Sequence, residues 1–321
     1  MSTLHALLPP LAHVRADLAF VSWLAKGDRL PKASNARTTL LRELFHFAGD
    51  CVPAAALRHF CHGDDAAAGA WLCADPAWVR SEATGARLMA WPLGDVSADE
   101  AEALAVSLRP LFGDAGALLS IDTPSAWCLH LLHAGPRAEF HAPAEVLGVD
   151  LVECLPAGDA GRAWRRLFNE AQIVLHAHPV NAARIAAGKR PVNALWLWGA
   201  GALPGSVESG LQVVASVDDV VRGLAKMGGV IRVEPLPDAL ETARRSGMTL
   251  LDLDIPGHAD SAANWLVHFQ RWLREHRFDA IAITFADGER FRVRHAHRLR
   301  FWRRAQGATF SLRGKVARSA G

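Results

Sequence analysis

One segment of the chain carries a strong structural signal: Met248-Thr249-Leu250-Leu251-Asp252-Leu253-Asp254-Ile255-Pro256-Gly257-His258. Its first six residues form an apolar run that is typical of a buried strand, and the Pro-Gly pair then turns the chain. Asp254 and His258 are therefore predicted in one loop at the carboxyl end of a strand, where open α/β sheets place their ligands. An oxygen and a nitrogen ligand suit a divalent transition metal, and the alternative interpretation is a solvated surface pair.

The composition indicates a globular protein with a sizeable core. The chain has 321 residues, 50% of them hydrophobic, and a formal net charge of +2. This length allows one large or two ordinary domains. The small net charge argues against a dedicated nucleic-acid binder or a membrane coat, and no stretch approaches the roughly 20 apolar residues of a membrane span. Five cysteines with no CxxC pair, and no secretory leader before them, predict reduced thiols and a cytoplasmic location.

Hydrophobic spacing predicts strands that alternate with helices. Strands are predicted at 3–8, 70–73, 86–91, 117–121, 126–132, 193–198, 248–253 and 280–285. Helices are predicted at 17–25, 38–47, 97–111, 162–176, 217–226 and 259–274. The alternation favours an α/β fold with a doubly wound, mostly parallel sheet. One helix with three strands predicts a small α+β domain inserted at 80–155, so that 1–79 and 156–321 form the α/β core.

A cluster of polar residues surrounds a helix end and the basic loop after it. Its members are His178, Asn181, Arg184, Lys189 and Asn193. A buried strand and a glycine-rich turn follow. Arginine supplies a fork of donors and glycine allows a close backbone approach, so this loop is a candidate anion-binding site. The alternative is a helix end with a solvated basic loop.

The segment from Arg290 to Arg300 alternates basic and apolar residues. This period of two predicts a strand with one charged and one apolar face. The favoured interpretation is an edge strand that its charges protect from pairing. The other interpretation is a basic strip, including Arg292, Arg294 and Arg298, that binds nucleic acid or an acidic protein.

These motifs resemble, in order along the chain, those of the archaeal-type cofactor-independent phosphoglycerate mutases. The matching residues are Leu167-Phe168-Asn169-Glu170, His178-Pro179-Val180-Asn181, Arg184, Gly188-Lys189, Pro191-Val192-Asn193-Ala194, Trp198-Gly199-Ala200-Gly201 and Asp254-x-x-Gly-His258. The resemblance implies a core like that of the alkaline-phosphatase superfamily, with an inserted domain. It also implies two divalent metals and a serine-type nucleophile that becomes phosphorylated.

Several residues that the resemblance calls for are replaced. The first strand should end in an Asp-Gly metal loop, but that place holds Leu7-Leu8-Pro9-Pro10. The late strand should end in Asp-His, but it reads Asp287-Gly288. No motif selects a nucleophile, for which the candidates are Ser34, Thr38 and Thr39. Basic substrate-binding residues are also missing from the predicted insert.

The surviving ligand set predicts at most one metal site. It consists of Asp254, His258, Asp287 and a final histidine, taken as His295 with His297 as the alternative. Such a site would hold one divalent metal (Mn, Zn or Mg), or none. In a two-metal mechanism one ion activates the nucleophile and the pair clamps the phosphoryl oxygens, so the loss of ligands should abolish the chemistry.

The sequence therefore predicts a shortened bacterial pseudoenzyme of this family. Its role would be binding or regulation, with a small phosphorylated ligand or a protein as the partner. One alternative is an active metal-dependent phosphatase or phosphomutase of altered specificity. The other is a nucleic-acid or protein-binding module that uses the basic C-terminal strand.

Overall fold

A computed structural model describes residues 2–12, 18–63, 69–83, 85–133, 138–234, 247–254 and 259–303. The helices are α1 (Leu18–Lys26), α2 (Ala36–Leu44), α3 (Ala54–His62), α4 (Ala98–Asp114), α5 (Pro143–Val146), α6 (Leu151–Cys154), α7 (Gly158–His176), α8 (Pro179–Ala186), α9 (Asp219–Met227) and α10 (Ala259–Arg274). The strands are β1 (Thr3–Leu8), β2 (Asp28–Leu30), β3 (Phe45–His46), β4 (Ala70–Glu82), β5 (Gly85–Ala90), β6 (Ala117–Thr123), β7 (Ala126–Leu131), β8 (Ala194–Ala202), β9 (Glu208–Ser209), β10 (Leu211–Ala215), β11 (Arg232–Glu234), β12 (Met248–Asp252), β13 (Ala280–Phe285) and β14 (Arg290–Arg294).

A seven-stranded sheet has the order β11-β10-β12-β1-β13-β14-β2. Strands β10, β12, β1 and β13 run parallel, whereas β14 and β2 are antiparallel to their neighbours. The predicted α/β class with a mostly parallel sheet is thereby confirmed. Parallel strands bring their carboxyl ends to one edge of a sheet, and this edge receives Asp252, Asp254 and Asp287.

Alternating apolar residues explain why the central strands are buried. Leu4, Ala6 and Leu8 of β1 share one hydrophobic cluster with alternate residues of β13. Helices α1 and α10 cover this face through buried aromatic side chains. The cluster members from α10 are Trp265, Phe269, Trp272 and Leu273. Their spacing of three and four residues places them on one side of the helix.

A second, antiparallel sheet has the order β5-β4-β7-β6, and β8 also pairs with β4. Contacts divide the chain into two compact units. Unit 1 comprises 1–40, 210–217 and 234–321, and unit 2 comprises 41–209 and 218–233. The predicted insert 80–155 lies inside unit 2. Unit 2 extends beyond the insert because β4 and β8, most of whose residues the prediction assigned to the core, belong to the same sheet as its strands.

The basic C-terminal segment differs from its prediction as an edge strand. Strand β14 ends at Arg294, and a 3-10 helix (His295–Leu299) follows. β14 lies between β13 and β2, so β2 is the edge on this side of the sheet. Val293 of β14 is buried in the core of unit 1. None of the helices in the described part of the chain is long and apolar enough to cross a membrane.

Two helical glycines allow a matched test of packing in unit 2. A Cβ at Gly223 of α9 would overlap the carbonyl oxygen of Leu57 in α3, whereas a Cβ at Gly113 of α4 would meet nothing within 4 Å. We expect Gly223→Ala to lower the free energy of unfolding by about 1–3 kcal/mol because the two helices must separate. Gly113→Ala should raise it by up to ~1 kcal/mol because alanine favours the helix. Urea denaturation measures both, and equal effects would contradict this packing.

Candidate functional site

Unit 1 gathers buried polar residues at the carboxyl edge of its parallel strands. Ser216 follows β10, Asp252 ends β12 and Asp254 comes two residues later. Ser216 and Asp252 are each 1% exposed. The Ser216 Oγ donates to Asp252 Oδ2 at 2.9 Å, and the Asp254 backbone N–H donates to Asp252 Oδ1 at 3.3 Å. The predicted metal loop is therefore built around a buried carboxylate that sequence reasoning did not select.

Arg37 of α2 supplies the positive charge for this carboxylate. Its Nη1 and Nη2 donate to Asp252 Oδ1 at 3.2 Å and to Oδ2 at 2.8 Å. The Arg37 Nη1 atom also lies 3.8 Å from Asp254 Oδ2. A guanidinium keeps its charge at every physiological pH and matches a carboxylate with two parallel hydrogen bonds. An internal cation thus stands against the two carboxylates at the position predicted for a metal.

Asp287 is engaged by backbone groups of unit 1. Its Oδ2 accepts from the Leu11 N–H at 3.0 Å, and its Oδ1 accepts from the Glu289 N–H at 3.4 Å. Gly288, which stands where the resemblance implies a histidine, has φ +90°. A Cβ there would overlap the carbonyl oxygen of Ala33. This backbone conformation excludes a histidine ligand at position 288.

The central strand brings no carboxylate to this edge. Leu7 and Leu8 at the end of β1 are each 1% exposed. Their carbonyl oxygens accept from the N–H groups of Leu253 at 2.8 Å and Ala286 at 2.9 Å. The apolar residues seen in the sequence at this place therefore pack into the sheet.

The structure does not bring His295 to Asp254 and Asp287. Strand β14 is antiparallel to β13, and Arg294 pairs with Ala280, the first residue of β13. His295 consequently lies at the amino end of the parallel strands, where its ring centroid is 4.7 Å from that of His276.

The other two predicted ligands are His297 and His258. His297 is buried, and its Nε2 lies 3.5 Å from Asp28 Oδ2. His258 falls outside the described residues. Within the described ranges, no three His, Cys, Asp or Glu side chains are placed to hold one metal ion.

In unit 2, the predicted anion-binding loop is folded onto its own chain. His178 caps α8, since its Nδ1 accepts from the Val180 N–H at 3.2 Å. The Asn181 amide donates to the carbonyl oxygens of Leu175 and Val192, both at 2.7 Å, and accepts from the Val192 N–H at 2.8 Å. Asn181 is 2% exposed. These contacts tie α7, α8 and the start of β8 together.

Arg184 of α8 makes further contacts of this kind, and its side chain is fully buried. Its guanidinium donates to Glu100 Oε2 at 2.7 Å, to Asp95 Oδ1 at 2.9 Å, and to the carbonyl oxygens of Asp95 and Arg190 at 3.2 and 2.9 Å. The Asn193 amide pairs with Val79, accepting from its N–H at 2.8 Å and donating to its carbonyl at 2.7 Å. Asn181 and Arg184 are buried in these contacts and Lys189 is exposed, and anion binding by this loop stays a prediction.

Unit 2 also contains a buried polar cluster that sequence reasoning missed. Arg58 and Asp75 form two hydrogen bonds of 2.8 and 2.7 Å, and both residues are buried. Beside them, His59 Nδ1 lies 2.7 Å from Asp122 Oδ1, and Cys128 Sγ donates to Asp122 Oδ2 at 2.9 Å. One signal was present in the sequence: Asp75 interrupts an apolar run, and a carboxylate inside a buried strand requires a partner.

The contribution of Arg184 to stability can be tested by comparing it with Lys189, a second basic residue of the same region. We expect Arg184→Met to lower the free energy of unfolding by about 2–4 kcal/mol, because it leaves carboxylates without their buried partner. Lys189→Met should change it by less than about 0.5 kcal/mol, because that side chain is exposed. Thermal and urea denaturation of both variants measure this difference. If Lys189→Met were the more destabilising, the structural role of Arg184 would be wrong.

Asp122 should make unit 2 sensitive to acid. Burial raises the pKa of Asp122, but hydrogen bonds from His59 and Cys128 outweigh it, so the pKa is lowered from the usual value. A carboxyl whose pKa is lowered by folding stabilises the protein above its unfolded pKa, and this contribution is lost as the pH falls through the folded pKa. We expect Asp122→Asn to lose stability at neutral pH and to show a weaker further loss on acidification than the wild type. Urea unfolding from neutrality down to about pH 3 tests this, and parallel curves would refute it.

No family model matches the chain. The 2,3-bisphosphoglycerate-independent phosphoglycerate mutase of Methanosarcina barkeri is 30% identical over 185 residues, which cover 55% of this chain and 44% of that protein. The probable enzyme of the same name from Geobacter sulfurreducens is 36% identical over 107 residues, 31% of this chain and 27% of that protein. The chain thus matches less than half the length of these relatives.

Among solved structures, the cofactor-independent phosphoglycerate mutase of Thermoplasma acidophilum aligns with 92% of this chain and 90% of its own. The sequence identity is 16% and the TM-score is 0.39. It is the sequence relatives that support the resemblance first seen in the motifs. The chain is related to the archaeal-type cofactor-independent phosphoglycerate mutases.

Proposed function

We propose that this chain is a phosphoglycerate mutase-like protein that has lost phosphoryl transfer and acts by binding, in a regulatory role. The observation that carries the proposal is the contact of Arg37 with Asp252 and Asp254 at the carboxyl edge of unit 1. A residue of the chain itself supplies the positive charge that a catalytic metal would otherwise bring there.

Electrostatics explains why this contact opposes metal binding. Two like unit charges 4 Å apart repel each other by about 4 kcal/mol at an effective dielectric constant of 20, and a divalent ion doubles this value. A metal at Asp254 would therefore have to displace Arg37 from Asp252. Displacement leaves the Asp252 carboxylate, which is 1% exposed, without its charged partner.

Phosphoryl transfer also needs positive groups around the transferred phosphate. In the predicted anion-binding loop, Arg184 donates to Asp95 and Glu100 and therefore does not offer its guanidinium to a substrate. The edge beside Asp254 lacks the histidine expected at Gly288 and the carboxylate expected after β1. The resemblance suggests a small phosphorylated molecule as the ligand, held without metal chemistry, and phosphoglycerate is the first to test.

The proposal predicts that the charge of Arg37 prevents metal binding and that its removal allows a metal to bind. We expect the wild-type protein to retain no manganese, zinc or magnesium after dialysis, as measured by plasma mass spectrometry. Arg37→Met removes the blocking charge at similar volume, so this variant should bind manganese, and adding Asp254→Ala should abolish the binding. Arg37→Lys keeps the charge and serves as the matched control that binds none. Circular dichroism establishes that each variant is folded.

Activity assays decide between the proposal and its alternative. We expect no mutase turnover with phosphoglycerate, and no phosphatase turnover with nitrophenyl phosphate, for the wild type in the presence of each metal. Stoichiometric metal in the wild type, together with turnover that disappears in Asp254→Ala, would instead establish an active metal-dependent phosphatase or phosphomutase.

A further inference from the structure

Cys73 and Cys128 face each other across two strands of unit 2. They are direct register partners in the antiparallel pair of β4 and β7, and both are fully buried. Directly opposed residues of an antiparallel pair have Cα atoms about 4.5 or 5.5 Å apart, depending on whether the pair is hydrogen-bonded. A disulfide requires a Cα separation of about 4.4–6.8 Å. Either kind of pair therefore meets this requirement without any movement of the backbone.

The side chains are arranged for the same bond. Opposed residues in a ladder point to the same face of the sheet, so the side chains of Cys73 and Cys128 lie on one face of the β4–β7 pair. The Cys128 Sγ also lies 3.9 Å from the Arg58 guanidinium and 2.9 Å from Asp122 Oδ2. The Cys128 thiol thus lies inside a polar cluster, on the same face of the strand pair as its register partner Cys73.

We propose that Cys73 and Cys128 are an oxidation site that forms an intramolecular disulfide within the folded protein. The co-reactant is a small two-electron oxidant such as a peroxide. The two thiols lose two protons and two electrons as the S–S bond forms, and the peroxide O–O bond breaks to give two water molecules. The proposal is independent of the proposed function, because every residue involved belongs to unit 2, whereas the contact that carries the proposed function belongs to unit 1.

Oxidation would change the neighbouring polar contacts in a defined way. The Cys128 S–H that donates to Asp122 is consumed, while His59 remains 2.7 Å from the other oxygen of Asp122. The His59 ring also stacks on Trp71 with centroids 4.1 Å apart, and Trp71 stacks on His130 at 4.5 Å. The oxidised state therefore differs from the reduced state first at the Asp122–His59 contact, which joins β6 to α3.

The test uses a protein in which only these two thiols remain. Cys51, Cys61 and Cys154 are replaced by serine, and the folded variant is treated with hydrogen peroxide. It is then unfolded, alkylated and weighed by intact mass spectrometry, with peptide mapping under non-reducing conditions. We expect loss of two alkylation sites, one peptide pair linking Cys73 to Cys128, and a thermal midpoint raised by several degrees because the unfolded chain is constrained.

Matched controls separate this result from unspecific oxidation. Cys73→Ala and Cys128→Ala in the same background should each keep one alkylation site and show no rise in the thermal midpoint. The unfolded two-cysteine protein, treated in parallel, establishes that the oxidant is sufficient to make the bond. Two free thiols in the folded protein under those conditions would overturn the proposal. A sulfinic acid on one cysteine, a link between two molecules, or a lowered thermal midpoint would overturn it as well.

Discussion

The carboxylate of Asp75 is the interaction on which unit 2 depends. It accepts hydrogen bonds of 2.7–3.1 Å from both Nη atoms of Arg58, the indole N–H groups of Trp91 and Trp198, and the backbone N–H of Trp127. Burial lowers the pKa of the Arg58 guanidinium, but Asp75 outweighs this effect and raises the pKa well above its usual value. Asp75 lies on β4, the strand that pairs with β5, β7 and β8, so one charge pair connects the whole sheet with α3. Removing Arg58 would leave the buried carboxylate of Asp75 without its charged partner, which would lower the free energy of unfolding by several kcal/mol.

In unit 1, Asp252 is likewise a buried carboxylate that is paired with an arginine, Arg37. The two units thus share one physical rule: a carboxylate at a buried sheet position is stabilised by a guanidinium that the chain itself provides. At Asp252 the arginine also lies 3.8 Å from Asp254, so it contacts both carboxylates at the sheet edge.

Local signals in the sequence predicted much of the secondary structure, whereas partners distant in the chain could not be predicted. The bounds of β1, α10 and β13 agree residue for residue with their apolar spacing. Ser97 and Glu100 form a capping box, a local signal that the sequence carries because both partners lie within one helical turn. Arg37 and Asp252 are 215 residues apart in the sequence, and no periodic pattern links them. The resemblance implies a final histidine near position 295, but sequence order does not reveal that β14 reverses direction and carries His295 to the other end of the sheet.

The polar residues of the loop between α7 and β8 have structural contacts that account for their presence without a catalytic role. Asn181, Arg184 and Asn193 are held by backbone groups and carboxylates of the same unit, so replacing them would break the junction of α7, α8 and β8. Selection for a folded chain alone is sufficient to keep such residues. The positions that distinguish an enzyme from a binding protein lie instead at the sheet edge of unit 1. There, buried leucines end β1, and Gly288 adopts a backbone conformation that excludes a histidine. The agreement of the motif therefore indicates kinship and does not by itself indicate activity.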